Sequence, residues 1–282
     1  VASDVIIDDI AILLAQTPGV EAIVLGGSRA RGDFTASSDY DLGLYFRRST
    51  PFSVEDLQQT VLRFVDQDSP ASLTPIGEWG PWIVGGGWLT VGGKPVDLLY
   101  RCLDDVEAII DEVEHGKIRV DYQPGHPHAF ASPIWLAELH YCRPIVDRTG
   151  EIAKLKDRLL TFPSALRLAI LDRFQWEIGF AAANAAKAIG RGDRTYIAGA
   201  VFRSLACMAQ VICALNGVYV MNEKGAIALA ASQPVAPAAL ADRIDVIWER
   251  FGAADYEGAL NILGELEREV GYLAETCRRS AD

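Results

Sequence analysis

The sequence of 282 residues has no CxxC pair, and its five cysteines, Cys102, Cys142, Cys207, Cys213 and Cys277, are an odd number scattered along the chain. That excludes a disulfide framework and a ribbon-type zinc site, and it reads as the reduced thiols of a cytoplasmic protein. There is no run of about 18 uncharged apolar residues, so no membrane span is expected. The stretch from Val1 to Gln16 carries acids where an export signal needs a basic region. No histidine follows His140, which removes the Arg and His pair that a ribonuclease built on the second half would require. Basic residues are scarce: 26 Lys+Arg against 38 Asp+Glu leave a net charge of −12. The deficit lies in residues 1–150, with 11 basic and 22 acidic residues, whereas residues 151–282 hold 15 and 16. Such a surface repels a phosphate backbone and draws in divalent cations and cationic small molecules, although an acid excess also serves plain solubility.

What is present is ordinary globular material, 50% apolar, 23% charged and 9% aromatic, enough for one large domain or two of usual size. The first third alternates in type. Ile6 to Ala15 has helical spacing, Glu21 to Leu25 is a short apolar strand, and Asp39 to Phe46 alternates with a period of two. Val54 to Val65 reads as an amphipathic helix. Gly92-Gly93 between WLTV and PVDLLY, with Lys94 completing the bend, is a hairpin signal. After a loop rich in Pro and His the pattern turns wholly helical from about residue 151. Ser164 is the expected N-cap of a long helix ending at Gly190, and further helices are expected over 193–216, 237–251 and 255–277. The fold class expected is therefore α+β: a mixed sheet with helices over residues 1–150, then an antiparallel helical bundle over 151–282.

The chemistry is concentrated in Leu25-Gly26-Gly27-Ser28-Arg29-Ala30-Arg31-Gly32, followed by Ser38-Asp39-Tyr40-Asp41-Leu42. A strand running into two glycines and a serine lets backbone N–H groups approach a phosphate closely, with the Ser28 hydroxyl as a further donor. Neither a Walker A loop nor a dinucleotide fingerprint has this spacing. Asp39 and Asp41, two apart on a strand, project from one face while Leu42, Leu44 and Phe46 can pack into a core on the other. Two adjacent carboxylates repel each other unless a cation lies between them, and hard oxygen ligands beside phosphate suit Mg²⁺. Asp97, among apolar neighbours in Lys94-Pro95-Val96-Asp97-Leu98-Leu99-Tyr100, completes three converging acids if its strand lies beside that of Asp39 and Asp41. Such a set can hold two metals for an in-line displacement at phosphorus.

This pattern of Gly-Ser, two Asp flanking one residue and a third Asp on a later strand resembles the DNA polymerase beta-like nucleotidyltransferase superfamily. The resemblance covers about the first 100 residues, and the helical remainder is similar in kind to the C-terminal bundles of bacterial antibiotic nucleotidyltransferases. It implies that Gly27 and Ser28 bind the β- and γ-phosphates of ATP or another NTP. It further implies that Asp39 and Asp41 hold Mg²⁺ (two ions, Mn²⁺ being the alternative), and that Asp97 meets a metal and the attacking hydroxyl. Arg29 either touches phosphate or sits on a solvated helix start. Lys187 either reaches the triphosphate, as bundle lysines do in similar enzymes, or is an exposed helix lysine. The implied reaction passes a nucleoside monophosphate, AMP in the first instance, to a hydroxyl of a small acceptor. The acidic first half suits a cationic, aminoglycoside-like one. A protein acceptor, or a non-catalytic module keeping the fold, is the alternative.

A general base for such an acceptor is either Glu78, in Gly77-Glu78-Trp79, or Glu138, in Trp135-Leu136-Ala137-Glu138. An acid beside Trp is pushed toward the pKa that proton abstraction needs, and each can equally be a surface acid. His126 and His128 have the wrong count and spacing for zinc and read as a structured loop. Trp79, Trp82 and Trp88 either fill a core or stack against a substrate.

Overall fold

The computed structural model describes residues 2–69 and 71–281; Val1, Pro70 and Asp282 lie outside it. Two compact units are present and they interleave along the chain: residues 1–111, 121–125 and 135–160 form the first, and residues 112–120, 126–134 and 161–282 the second.

In chain order the first unit opens with α1 (Ala2–Leu14), β1 (Ala22–Leu25), α2 (Gly27–Arg31), β2 (Tyr40–Phe46), α3 (Val54–Val61), β3 (Gly86–Val91) and β4 (Lys94–Cys102). There follow along the chain α4 (Leu103–Glu114), whose last residues belong to the second unit, the short strands β5 (Val120–Asp121) and β6 (Phe130–Ala131), the latter in the second unit, then α5 (Pro133–Tyr141), β7 (Arg143–Asp147) and α6 (Glu151–Arg158). The sheet order is β3-β4-β2-β1-β7. It is mixed: β1 runs antiparallel to β2 and to β7, β3 antiparallel to β4, and β2 parallel to β4.

The period-two alternation of β2 does the sorting. Tyr40, Leu42, Leu44 and Phe46 enter one core with Val96, Leu98, Tyr100 and Cys102 of β4, Ile10 and Leu14 of α1, and Leu57 and Val61 of α3. The residues between them, Asp41 and Asp97 included, therefore face the other way. The expected hairpin is present. Gly92 and Gly93 take φ of 58° and 72°, the left-handed pair that a two-residue turn demands, and both N–H groups donate to the Asp66 carboxylate at 2.8 Å. Lys94 belongs to β4 rather than to the bend, pairing with Val91. α3 is shorter than its amphipathic pattern. After Val61 the bonds tighten to Arg63 N–H on Thr60 and Phe64 N–H on Val61, so Phe64 and Val65 still pack on the core from a turn.

The second unit contains α7 (Ser164–Ile189), α8 (Arg194–Leu215), α9 (Ala226–Ala231), α10 (Leu240–Gly252) and α11 (Tyr256–Ala281). Ser164 is the first helical residue of α7, and Pro163 holds the cap position without a side-chain bond. Asp193 does cap α8, accepting from Tyr196 N–H at 3.1 Å. α8 is long and apolar enough to cross a membrane. Within this unit most of it is buried, packed by α7, α9 and α11, which is what a helix apolar on all sides does at the centre of a bundle. All five cysteines are free thiols, four of them buried.

Candidate active site

β1 delivers the chain to Gly26 and Gly27, where it turns into α2. The Gly26 N–H donates to the Asp41 carbonyl at 2.8 Å, which ties the turn to the start of β2. Gly27 has φ +61°, and a Cβ there would overlap the Asp41 carboxylate. Glycine is thus required twice, for its backbone and for the approach of an acid. Ser28 follows, half-buried, at the second position of α2.

Asp41 stands in register with Asp97 across the parallel β2 and β4 pair, so the two acids of the second and third motif positions are direct neighbours on one sheet face. Asp39 lies just before β2 and is exposed. The effect of this crowding is felt at Asp97, whose carboxyl is pushed up to about 6, first by burial and then by the negative charges of Asp41 and Asp39. A turn of Gly-Gly-Ser held on Asp41, with Asp97 beside it and Asp39 within electrostatic reach, puts backbone and hydroxyl donors next to crowded carboxylates, a chemistry that could meet a phosphate and that a positive counter-charge would relieve.

Residues 10–76 match the family model of the nucleotidyltransferase domain. That span, about a quarter of the chain, is similar to the nucleotidyltransferase domain. A nucleotidyltransferase-like protein from Exiguobacterium sibiricum 255-15 is similar in structure at 13% identity and a TM-score of 0.45, over 96% of this chain and 78% of that one. No curated protein sequence matches. The matched span contains Gly27, Ser28, Asp39 and Asp41; Asp97 lies beyond it, on β4 in register with Asp41.

Among the described residues no set of three or more His, Cys, Asp or Glu side chains is gathered to hold a metal ion. The donor chemistry nevertheless fits a hard divalent cation. Mg²⁺ takes only one or two carboxylates and completes its shell with water and substrate phosphate, and Asp41 and Asp97 form such a pair. Asp39 supplies further charge from the strand entry.

The other expected residues fall differently. Arg29 is committed to the loop that carries Asp39. Its guanidinium donates to the Ser38 carbonyl at 2.6 Å and to the Asp39 carbonyl at 3.0 Å, and lies 3.7 Å from the centre of the Tyr40 ring. Glu138, on α5, is the bidentate partner of Arg101, at 2.9 and 2.8 Å, and Arg101 is 2% exposed. Burial alone would pull the Arg101 guanidinium down, but the charge of Glu138 and its hydrogen bonds, with the charge of Asp41 a smaller contributor, hold it above its usual value. Arg101 shares its β4 face with Asp97; it was missed in sequence because a lone Arg after Tyr100 carries no pattern. Glu78 is exposed in the loop before β3. Lys187 lies on α7 of the helical unit, exposed, 3.4 Å from Asn184 Oδ1.

The tryptophans divide. Trp82 is buried and meets Trp135 edge to face. Trp88 is 61% exposed, stacked on Trp79 at 4.7 Å, and in register with Asp97 across β3 and β4. An aromatic pair, exposed at Trp88 and half-buried at Trp79, therefore adjoins the acids, with Trp88 on their own face of the sheet.

Proposed function

We propose that the nucleotidyltransferase domain transfers AMP from ATP to a hydroxyl of a small cationic acceptor, releasing pyrophosphate. The observation that carries the reading is the in-register Asp41 and Asp97 pair beside the Gly27 and Ser28 turn. In this reading the backbone of Gly27 and the hydroxyl of Ser28 donate to the β- and γ-phosphates. Asp39, Asp41 and Asp97 would hold Mg²⁺, one ion or two, which offsets the charge of the triphosphate and of the phosphorus centre when bound. The acceptor oxygen attacks the α-phosphorus, the bond to the pyrophosphate oxygen breaks, and the acceptor proton passes to Asp97. Arg29 acts at one remove, fixing the Ser38 and Asp39 backbone. The nearby Trp79 and Trp88 stack offers a face for a sugar ring or an ammonium group, and the negative charge of the first 150 residues attracts the same class of acceptor. Antibiotic modification in the cytoplasm is the setting this reading fits.

The test is incubation of the purified chain with Mg²⁺, ATP labelled at the α-phosphate and a panel of aminoglycosides, neutral sugars and the chain's own total cell protein. Label on an aminoglycoside, lost in Asp41→Asn, supports the reading. Label on protein alone moves the acceptor to a polypeptide, and no label with any nucleoside triphosphate overturns transfer itself.

A further inference from the structure

The helical unit contains a cavity of about 270 Å³, made entirely from its own residues and separate from the acids of β2 and β4. α8 packs on α7, α9 and α11, and α10 packs on α9 and α11; the cavity stands between α8 and α10. On α8 it is lined by Phe202, Leu205, Ala206 and Ala209, the i, i+3, i+4, i+7 spacing of one helix face. The two alanines in that face leave the space, and Ile244 and Trp248 of α10 bound it from across. Trp248 and Asp245, both exposed, mark its open side.

The polar residues at its inner end already have partners or are closed off. Glu223 accepts the His128 N–H at 2.8 Å and lies 3.4 Å from His126 Nδ1. His128 Nε2 lies 3.8 Å from Cys207 Sγ, and neither its Nδ1 nor the Asn222 Oδ1 has surface open to a ligand. Arg203 donates to the His128 carbonyl at 3.2 Å. Burial first, and then the charge of Arg203, hold the His128 imidazole below its usual value, so the ring is neutral at pH 7.

What this lining presents is therefore hydrocarbon and ring surface, with no unpaired charge at its inner end to meet a charged ligand. Protein interiors fill their space to the density of organic crystals, and water gains little in an apolar hollow. An engineered apolar cavity of about 150 Å³ takes benzene, and sites for drug-sized ligands begin at roughly 300 Å³. A volume of about 270 Å³ lies between the two and suits a compound of two fused rings. We infer that the helical unit is itself a small-molecule site, taking an uncharged aromatic compound of the size of indole between the alanine face of α8 and Trp248 of α10.

The probe is indole, with indole-3-carboxylate and benzamidine as the anionic and cationic controls, added at millimolar concentration to the full-length chain without nucleotide and followed by ligand-observed NMR. Saturable binding of indole is expected, with both charged compounds weaker by about tenfold or more, because their charge would have to leave water. Ala206→Phe, whose ring takes the space itself, should abolish binding while the circular dichroism stays that of the wild type. Trp248→Ala alters an exposed residue and so tests the site even where Ala206→Phe does not fold. It should weaken indole by about threefold or more, the scale of one aromatic contact. Trp88→Ala should leave binding unchanged, which separates this site from the tryptophan stack beside Asp97. No saturable binding of indole, equal binding of a charged control, full affinity in Trp248→Ala or in a folded Ala206→Phe protein, or loss of binding in Trp88→Ala would each overturn the inference. So would a wild-type dimer that Trp248→Ala dissociates, since it would give this face to a second copy of the chain.

Discussion

Asp41 and Asp97 are Cα partners on adjacent parallel strands, and their side chains share the face that the core does not use. Strand register thus brings together two acids that lie 56 positions apart in sequence. A cluster assembled this way is costly without a counter-ion, so its removal should separate function from stability. Asp41→Asn and Asp97→Asn are each expected to lower transfer by about a thousandfold or more, as loss of a group that stabilises transition-state charge does. Thermal unfolding without metal should hold or rise in both. Wild-type turnover in either variant would remove that acid from the site.

Gly27 gives a sharper test, because the substitution adds a single methyl group. The residue has φ +61° and its missing Cβ would overlap the Asp41 carboxylate. Gly27→Ala should therefore cost about 1–3 kcal/mol in stability, from the left-handed backbone and the forced movement of Asp41. It should also raise the KM for the triphosphate. Ala30→Gly, in the same short helix, serves as the control for local flexibility. Denaturant unfolding and nucleotide titration of both variants check this, and a Gly27→Ala protein of wild-type stability would contradict the geometry.

The pH dependence of the metal-free chain follows from Asp97. Its carboxyl lies at about 6 in the folded protein against 3.8 unfolded, so on acidification the folded state takes up this proton before the unfolded state does. The wild type should gain stability relative to Asp97→Asn as pH falls from about 6 toward 4, and the advantage of the variant should be full only above about 6. Melting curves of the two proteins in chelator across that range measure it; a difference that does not change with pH would show that Asp97 is not the group that titrates.

Glu138 separates a base from a counter-ion. It closes a bidentate pair with Arg101, a guanidinium 2% exposed. Neutralising it leaves that buried charge without its principal partner, and loss of one member of a buried pair costs about 3 kcal/mol or more. Glu138→Gln should then lower stability markedly, with activity following the folded fraction. Glu138→Gln together with Arg101→Met should recover stability. If instead Glu138→Gln melts as the wild type does and loses kcat at constant KM, the carboxylate is the base.

These residues also show what the sequence could and could not disclose. The Gly26-Gly27-Ser28 turn, the Asp39 and Asp41 spacing, the hairpin at Gly92-Gly93 and the long bundle helices are local signals, carried by backbone freedom, a period of two and helical periodicity. The convergence of Asp97 was conditional on a strand pairing that no local signal fixes. α9 is too short for a helical period to register, and β7, Arg143-Pro144-Ile145-Val146-Asp147, has a Pro and only two β-branched apolar residues between charged ends, so it gives no strand signal. The commitments of Arg29 and Glu138 depend on which partner a long or charged side chain finds after folding, a matter of tertiary distance. The interleaving of the units at 112–134 is likewise invisible to a reading that looks for one change of pattern along the chain.

The final prediction concerns the acceptor, for which Trp88 is the most direct handle. It is exposed, stacked on Trp79, and level with Asp97 on the sheet. If a cationic acceptor lies against this indole, Trp88→Ala should raise the acceptor KM about tenfold, from the roughly 1–2 kcal/mol of a ring contact with a desolvated cation, and leave the KM for ATP unchanged. Trp88→Phe should recover part of the loss, because a smaller ring keeps the negative face. Salt supplies an independent axis. Attraction to the acidic first 150 residues is long-range and is screened over about 10 Å at 0.1 M, so the KM of a polyamine acceptor should climb with salt while that of a neutral sugar should not. Steady-state kinetics at two salt concentrations, with both acceptors and both variants, measure all of this. A wild-type enzyme whose acceptor KM is indifferent to salt, and a Trp88→Ala enzyme indifferent to the acceptor, would place acceptor binding away from this face of the sheet and leave transfer by Asp41 and Asp97 to be judged by their own variants.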